Sequence, residues 1–68
     1  MTLGETIRAA RVAKGLRLTD LAASIGTDAG TMSRIETGKR DPSLRQLRGI
    51  AKALGTKPGR LVDAARAA

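Results

Sequence analysis

The chain has 68 residues and no cysteine, histidine or aromatic residue, and its 13 Lys and Arg against 6 Asp and Glu give a net charge of +7. Disulfide bonds, thiol chemistry and the usual zinc sites are therefore excluded, and a chain of this length makes one small domain. Its apolar fraction of 41% is mostly Ala, Leu and Ile, which favours an all-α fold held together by packing alone.

The positive charge indicates a polyanionic partner, although a basic surface also serves solubility alone. Single-stranded nucleic acid and RNA are disfavoured, because their readers stack bases on aromatic side chains that this chain lacks. Double-stranded DNA is the better candidate. No apolar stretch is long enough to span a membrane and the N-terminus lacks the apolar core of a signal peptide, so we expect a cytoplasmic protein with no membrane partner.

The first predicted helix spans residues 3–14. Thr2 and Glu5 have the spacing of a capping box, which satisfies two backbone donors at a helix start. Lys14 and Gly15 give the basic last turn and the glycine that commonly end a helix. The predicted inner face of this helix consists of Leu3, Ile7 and Ala10.

Two short helices are predicted next, over residues 18–25 and 29–36. The first has apolar residues at the i, i+3, i+4, i+7 spacing of an amphipathic helix, namely Leu18, Leu21, Ala22 and Ile25. Gly26 ends this helix, and Asp28 is a suitable N-cap for the following one. The second short helix has Met32 and Ile35 as its predicted buried positions.

A longer helix is predicted over residues 44–54 and a weaker one over 58–66. Ser43 and Gln46 form a second capping box, and Pro58 suits a first helical position. The predicted inner face of the longer helix consists of Leu44, Leu47, Ile50, Ala51 and Leu54. The weaker helix has a short apolar edge of Leu61, Val62 and Ala65.

Only Gly26 and Thr27 separate the second and third helices, which is too short a connection for an antiparallel hairpin of helices. The two helices must therefore cross steeply, with Ala22 small at the crossing and Gly26 able to take a positive φ. Such a helix-turn-helix lays one helix across a phosphate backbone and points the next at the major groove. The sequence predicts one compact five-helix domain over residues 1–68 that reads DNA with residues 28–37.

Two segments carry a resemblance to a known family: LTDLAASIGTDAGTMSRIETGKRDPS, residues 18–43, and LRQLRGIAKALGTKPGRLV, residues 44–62. They resemble the Cro/C1-type helix-turn-helix proteins, the XRE family of phage repressors and bacterial regulators. The resemblance implies a lambda-repressor-like fold, a bacterial or phage origin and association with the nucleoid. It also implies a transcriptional regulator, by preference a repressor, that binds a palindromic operator as a homodimer formed in solution or only on DNA.

The resemblance places base contacts on the solvent face of the third helix, at Ala29, Gly30, Ser33 and Arg34. Arg34 can bond a guanine bidentately, or it can contact a phosphate without reading sequence. Ala29 and Gly30 are smaller than the long polar residues frequent in the family. They either bring the backbone close to the groove, with Thr31 or Thr27 contacting the DNA flank, or merely fill the start of the helix.

Phosphate contacts are expected to flank the reading helix. The residues that match the family's backbone-facing positions are Arg17, Thr27, Lys39, Arg40 and Arg45. Leu18 departs from the glutamine common in the family, which would cost one phosphate contact. Arg11 and Glu36 match a pair that the family uses as a salt bridge between the first and third helices, either as a plain structural pair or with a spare donor for a phosphate.

An enzyme is not expected, because the chain has no His or Cys, only scattered carboxylates and no phosphate-cradling glycine loop. No cofactor, metal or small-molecule ligand is expected either. The main alternative is an antitoxin or restriction-modification controller that also binds a partner protein, since the family's fold occurs in both. A nonspecific basic protein of the nucleoid or of RNA is the third. Helix five is the expected dimer contact, because its apolar edge exceeds what so small a core needs.

Overall fold

Five α-helices joined by short turns make up the part of the chain that a computed structural model describes, residues 1–67. The helices are α1 (Leu3–Ala13), α2 (Leu18–Ser24), α3 (Ala29–Glu36), α4 (Leu44–Ala53) and α5 (Pro58–Arg66). Each begins where the sequence predicted, and α1, α2 and α4 end one residue earlier. No strand occurs within these residues, which confirms the all-α prediction. The last residue of the predicted domain, residue 68, lies outside the described part.

Side-chain caps explain where three of the helices start. The Glu5 backbone N–H donates to Thr2 Oγ1 at 3.1 Å, and the Thr2 N–H donates to Glu5 Oε1 at 2.8 Å. Ser43 and Gln46 make the same reciprocal pair at 3.0 and 2.9 Å. The Asp28 carboxylate accepts the Thr31 N–H at 2.6 Å. These bonds satisfy amide donors that have no partner within their own helix, so the capping residues fix the helix starts.

One apolar core joins all five helices. α1 packs against α3 and α5, α2 packs against α3 and α4, and α4 also packs against α5. The buried core residues are Ile7, Leu21, Ala22, Met32, Ile35, Ile50, Ala51, Leu54 and Leu61. Every helix contributes at least one of them, so displacement of any one helix would expose core residues to solvent. No helix within residues 1–67 is long and apolar enough to cross a membrane.

Two predicted roles of leucines are wrong. Leu44 is 62% exposed rather than part of the inner face of α4. It is the first residue of α4, and because helical side chains lean toward the N-terminus, its side chain projects past the end of the helix. Leu61 is only 4% exposed and belongs to the core, because α5 packs on α1 and α4. Leu61 is therefore unavailable as a dimer contact, and Val62 and Ala65 are each half-buried.

The turn between α2 and α3 is closed by backbone hydrogen bonds. Gly26 has a φ of 70°, the left-handed conformation that glycine adopts without steric cost. The Thr27 N–H donates to the Ala22 carbonyl at 3.0 Å, and the Gly26 N–H donates to the Ala23 carbonyl at 3.2 Å. Together these bonds form a Schellman motif, which ends α2 and redirects the chain into α3.

Two glycines within helices mark close approaches between helices. A Cβ on Gly4 in α1 would overlap the carbonyl oxygens of Ile35 and Glu36 at the end of α3. A Cβ on Gly49 in α4 would lie 2.8 Å from Ile25 Cγ2 at the end of α2. Glycine weakens a helix by about 0.5–1 kcal/mol relative to alanine, and these contacts account for its presence. They let α1 sit close against α3, and α4 close against α2.

Candidate nucleic-acid interface

The two faces of α3 differ in burial. Its inner face consists of four buried residues, Thr31, Met32, Ile35 and Glu36. On its outer face Gly30 and Arg34 are exposed, as is Thr37 just after the helix, while Ala29 and Ser33 are half-buried. The four predicted base-reading positions therefore lie together on the side of α3 that the core leaves open. Three of them are small, so the α3 backbone itself can approach a partner closely.

Asp28, Thr31 and Arg34 meet at the N-terminal end of α3. Asp28 accepts the Thr31 N–H, and Arg34 Nη2 lies 3.4 Å from Thr31 Oγ1, a long hydrogen bond. The hydrogen bond from the Thr31 backbone is the main cause that lowers the pKa of Asp28, and the positive charges of Arg34 and Arg40 lower it further. The structure thus brings two predicted DNA-binding arginines near the capping carboxylate.

The loop after α3 is tied to the C-terminal turn of α3. Gly38 has a φ of 79°, and the backbone N–H groups of Lys39 and Arg40 both donate to the Arg34 carbonyl, at 2.9 and 3.2 Å. The side chains of Lys39 and Arg40 are exposed. Two of the predicted phosphate contacts therefore start from a backbone held by the reading helix, while their charged ends face solvent.

Arg17 is engaged by a neighbour that the sequence prediction did not consider. Its Nε and Nη2 donate to the two carboxylate oxygens of Asp20, each at 3.1 Å, and its backbone N–H donates to Asp20 Oδ2 at 2.9 Å. Hydrogen bonds from the Arg17 side chain are the main cause that lowers the pKa of Asp20. The Arg17 side chain is 81% exposed, so it can still turn toward a phosphate, but in competition with Asp20.

Arg11 and Glu36 form a buried salt bridge between α1 and α3. Arg11 Nε lies 2.7 Å from Glu36 Oε2, Nη2 lies 3.1 Å from Oε1, and Nη1 donates to the Leu16 carbonyl at 2.9 Å. The side chains are only 12% and 4% exposed. Hydrogen bonding to Glu36 raises the pKa of Arg11, so the guanidinium stays charged. The Arg11 side chain thereby links three parts of the chain: α1, α3, and the turn that precedes α2.

An open groove of about 630 Å³ borders the reading face on the side of α1. It places Ser33 of α3 and Thr37, the residue that follows α3, beside Leu18, the first residue of α2. The side chain of Leu18 offers no hydrogen-bond donor there. Arg8 and Arg11 share the groove with acidic neighbours, so it is not a purely cationic surface. Within residues 1–67 no group of three or more His, Cys, Asp or Glu side chains could hold a metal ion.

Not every residue expected near DNA is placed to reach it. Thr31 is only 7% exposed, because its side chain lies on the inner side of α3, and this burial contradicts its expected DNA contact. Thr27 is half-buried and Arg45, in the first turn of α4, is exposed. Sequence reasoning also missed Asp20 as a partner of Arg17. The signal was present, since an acidic residue three positions after an N-cap commonly accepts the backbone N–H of the N-cap residue.

Comparisons with known proteins relate this geometry to solved structures. A family model described as a helix-turn-helix domain matches residues 2–65. The clp gene regulator ClgR from Corynebacterium glutamicum is 29% identical, with a TM-score of 0.92 over 96% of this chain and 69% of that chain. The restriction-modification controller protein C.AhdI from Aeromonas hydrophila is 36% identical, with a TM-score of 0.83 over 87% of this chain and 89% of that one. The P22 c2 repressor, solved with a synthetic operator, is 30% identical, with a TM-score of 0.85 over 90% and 92%. None of the curated protein sequences compared matches the chain.

Proposed function

The chain belongs to the helix-turn-helix domain family and is of the Cro/C1 type, and from that premise we propose that it binds a specific double-stranded DNA site as a transcriptional repressor. The observation that carries the proposal is the outer face of α3. It is open to solvent, carries mostly small side chains and is bordered by exposed Lys and Arg side chains. A net charge of +7 on 68 residues supplies the long-range attraction to DNA phosphates.

The reading residues in this proposal are Ala29, Gly30, Ser33 and Arg34. Small side chains at the start of α3 let the helix end sit deep in the major groove, where Ala29 can contact a thymine methyl group. Ser33 offers a hydroxyl to a base edge or a phosphate. Arg34 is the one long donor on this face, and its guanidinium can bond guanine N7 and O6 together.

The positioning contacts in this proposal go to phosphates on either side of α3. The residues assigned to them are Arg17, Thr27, Lys39, Arg40 and Arg45. Lys39 and Arg40 extend from the loop that α3 itself holds, so their charges move with the reading helix. Arg45 stands in the first turn of α4, where the positive end of the helix dipole also favours an anion. Such contacts fix the register of the protein on DNA without reading its sequence.

The proposed repressor acts as a homodimer on a palindromic operator, with half-sites about 34–36 Å apart, one turn of DNA. Because Leu61 lies in the core, the apolar edge of α5 is reduced to Val62 and Ala65. So small a contact favours a dimer that assembles on DNA. Sedimentation of the protein alone should give a monomer, whereas a palindrome should bind two copies and a half-site one.

Selection of bound sequences from a random duplex pool tests the proposed function. We expect one enriched palindromic motif, bound about 10³-fold or more tightly than scrambled DNA at physiological salt. A pool that stays unenriched would contradict the proposal and favour a nonspecific basic protein. Salt titrations of the winning and scrambled duplexes separate the sequence-specific from the electrostatic part of binding.

Two substitutions separate base reading from phosphate contact. Arg34→Ala should relax the preference at one base position by about 1–3 kcal/mol. Lys39→Ala should weaken binding to all sequences alike and make the salt slope shallower by about 1. The opposite pattern would exchange the roles of the two side chains. Both residues are exposed, so neither substitution should lower the melting temperature appreciably.

A restriction-modification controller is the second candidate, because the similarity to C.AhdI covers most of both chains. Such a controller also uses the DNA-reading face, so binding alone does not separate the two roles. The position of the selected site does. A site upstream of nuclease and methyltransferase genes would favour the controller, and a site overlapping an unrelated promoter would favour the repressor.

A further inference from the structure

The outer face of α1 is a surface that the proposed function leaves unused. An open groove of about 560 Å³ lies on it, and the residues that line this groove form what we call the α1 patch: Met1, Glu5, Arg8, Ala9, Val12 and Ala13. None of them is assigned to DNA. The opposite face of α1 packs against α3 and α5, so the fold itself does not cover the patch.

The α1 patch is apolar at both ends and charged in the middle. Met1 and Val12 are 60% and 58% exposed, and they are two of the three large apolar side chains left exposed within residues 1–67. Glu5 and Arg8 lie between them. The four residues follow the i, i+4, i+7, i+11 spacing of a single helical stripe, so they form one line of side chains on the same side of α1.

Both charged groups of the patch can take another partner. Glu5 accepts the Thr2 N–H through Oε1 at 2.8 Å, which leaves Oε2 open to a further donor. The hydrogen bond from the Thr2 backbone is the main cause that lowers the pKa of Glu5, so its carboxylate is charged at neutral pH. Arg8 is exposed and forms no salt bridge within residues 1–67. A face with one acid and one base matches DNA or an acidic protein poorly, but it can be complementary to itself.

We propose that the α1 patch is a weak self-association surface, on which α1 of a second copy packs antiparallel and joins copies bound to neighbouring operators. A two-fold axis that places Glu5 of each copy opposite Arg8 of the other forms the ion pair twice. The same alignment brings Val12 opposite Met1, because both pairs share one midpoint along the stripe. Parallel packing would instead place each charge opposite its own like, which is unfavourable.

The size of the patch sets the strength of this contact. A standard interface uses about 20–30 residues a side, whereas the α1 patch has six. The protein alone should therefore stay monomeric at micromolar concentration and pair only at about millimolar concentration. Copies on neighbouring operators of one DNA have an effective concentration of about the same size, so the contact becomes useful there. This last step rests on the proposed function, whereas pairing in solution does not.

The first test follows backbone amide chemical shifts while the protein alone is concentrated from about 0.05 to 2 mM. The amides of the α1 patch should shift with concentration, and those of α3 should not. Arg8→Glu places like charges opposite each other and should weaken pairing at least about tenfold. Arg48→Glu is the matched control, because it makes the same charge change at an exposed arginine of α4 outside the patch. It should not weaken pairing.

Mixing two variants tests the pairing of charges directly. Glu5→Arg should also abolish self-pairing, and an equimolar mixture with Arg8→Glu should restore it, because unlike charges then face each other. Each substitution changes the net charge of +7 by only two, so both proteins stay positive and the attraction must be local. Thr2 Oγ1 still caps α1 in Glu5→Arg, and a melting curve checks its fold. Absence of wild-type shifts at α1, or a mixture that stays unpaired, would overturn the proposal.

The second test uses duplexes that carry two selected operators, at spacings that together cover one turn of DNA. At some spacing, wild type should bind the second operator about two- to tenfold more tightly than the first, and Arg8→Glu should lose this gain. The gain is a ratio, so the weaker overall binding of a less basic variant cancels. Independent filling at every spacing would overturn the proposal while the proposed function stands. If wild type selects no motif, the proposed function fails, and the solution measurement alone decides whether the α1 patches pair.

Discussion

On the inner face of α3, Met32 and Ile35 are at most 1% exposed, whereas Gly30 and Arg34 on the outer face are open to solvent. The same eight-residue helix thus carries one set of side chains that fix its orientation and another that nothing in the fold requires. Because the two sets alternate along one helix and lie on its two faces, their effects should separate. Substitutions on the inner face should change stability, and substitutions on the outer face should change DNA binding. Substitutions on each face test that division.

The largest expected effect is on the inner face, from Ile35→Ala. Ile35 is fully buried at the junction of α3 with the core, and deletion of its side chain should cost about 2–5 kcal/mol in the free energy of unfolding. A domain of this size has a small margin of stability, so the variant should be largely unfolded at 37 °C. Urea denaturation followed by circular dichroism measures the loss.

Ser33→Ala is the matched control, two residues away on the outer face. Its side chain is half-buried and makes no hydrogen bond among the described residues, so the free energy of unfolding should change by less than about 0.5 kcal/mol. A loss comparable to that of Ile35→Ala would mean that the outer face also contributes to packing, and the division between the two faces would not hold.

The next effect concerns the buried ion pair. Glu36→Ala leaves the Arg11 guanidinium without its carboxylate at a site only 12% exposed, which should cost about 1–3 kcal/mol. Arg17→Ala removes an arginine–carboxylate pair of the same bidentate form, but one whose arginine is 81% exposed, and it leaves the bond from the residue 17 amide to Asp20 in place. Exposed pairs contribute little, so the loss there should be much smaller. Equal losses would indicate that water reaches the Arg11–Glu36 pair.

The helical glycines extend the same comparison. Gly49→Ala places a Cβ 2.8 Å from Ile25 Cγ2, and we expect a net loss of about 1 kcal/mol after the gain in helix propensity. Gly59→Ala has open space and should gain up to about 1 kcal/mol. Chemical denaturation of both variants checks the signs. A gain for Gly49→Ala would show that α4 can move away from α2 without cost.

The sequence was sufficient to predict the fold because its signals are local. Thr2 with Glu5, Ser43 with Gln46, and Asp28 each place a helix start through hydrogen bonds that span only three residues. The predicted roles of Leu44 and Leu61 are wrong because apolar spacing shows which face of a helix is apolar but not which other helices cover that face. Leu44 begins a helix and projects past its end, while Leu61 is covered by the packing of α5 on α1 and α4.

The candidate site was predictable as a set of residues but not as a set of contacts. Helical spacing places Gly30 and Arg34 on one face, yet the pairing of Arg17 with Asp20 depends on side-chain conformation. The space over Gly30 is likewise visible only when Asp28 and Arg34 are both in position. Spacing alone left Gly30 as either a close approach to DNA or filler, and the structure adds that a Cβ there would lie 3.3 Å from Asp28 Oδ1.

The smallest expected effect concerns the charge at the start of α3. Hydrogen bonding to the Thr31 amide holds the pKa of Asp28 below its ordinary 3.8, so its stabilising contribution is present above that pH and is lost as the pH falls through the lowered pKa. Asp28→Asn keeps a good N-cap without the charge. Its melting temperature should therefore lie below that of wild type near pH 7 and converge with it toward pH 2. Glu5 and Asp20 also have lowered pKa values, so both proteins lose stability in acid and only their difference reports Asp28. A difference that is constant with pH would assign the effect to cap geometry instead of charge.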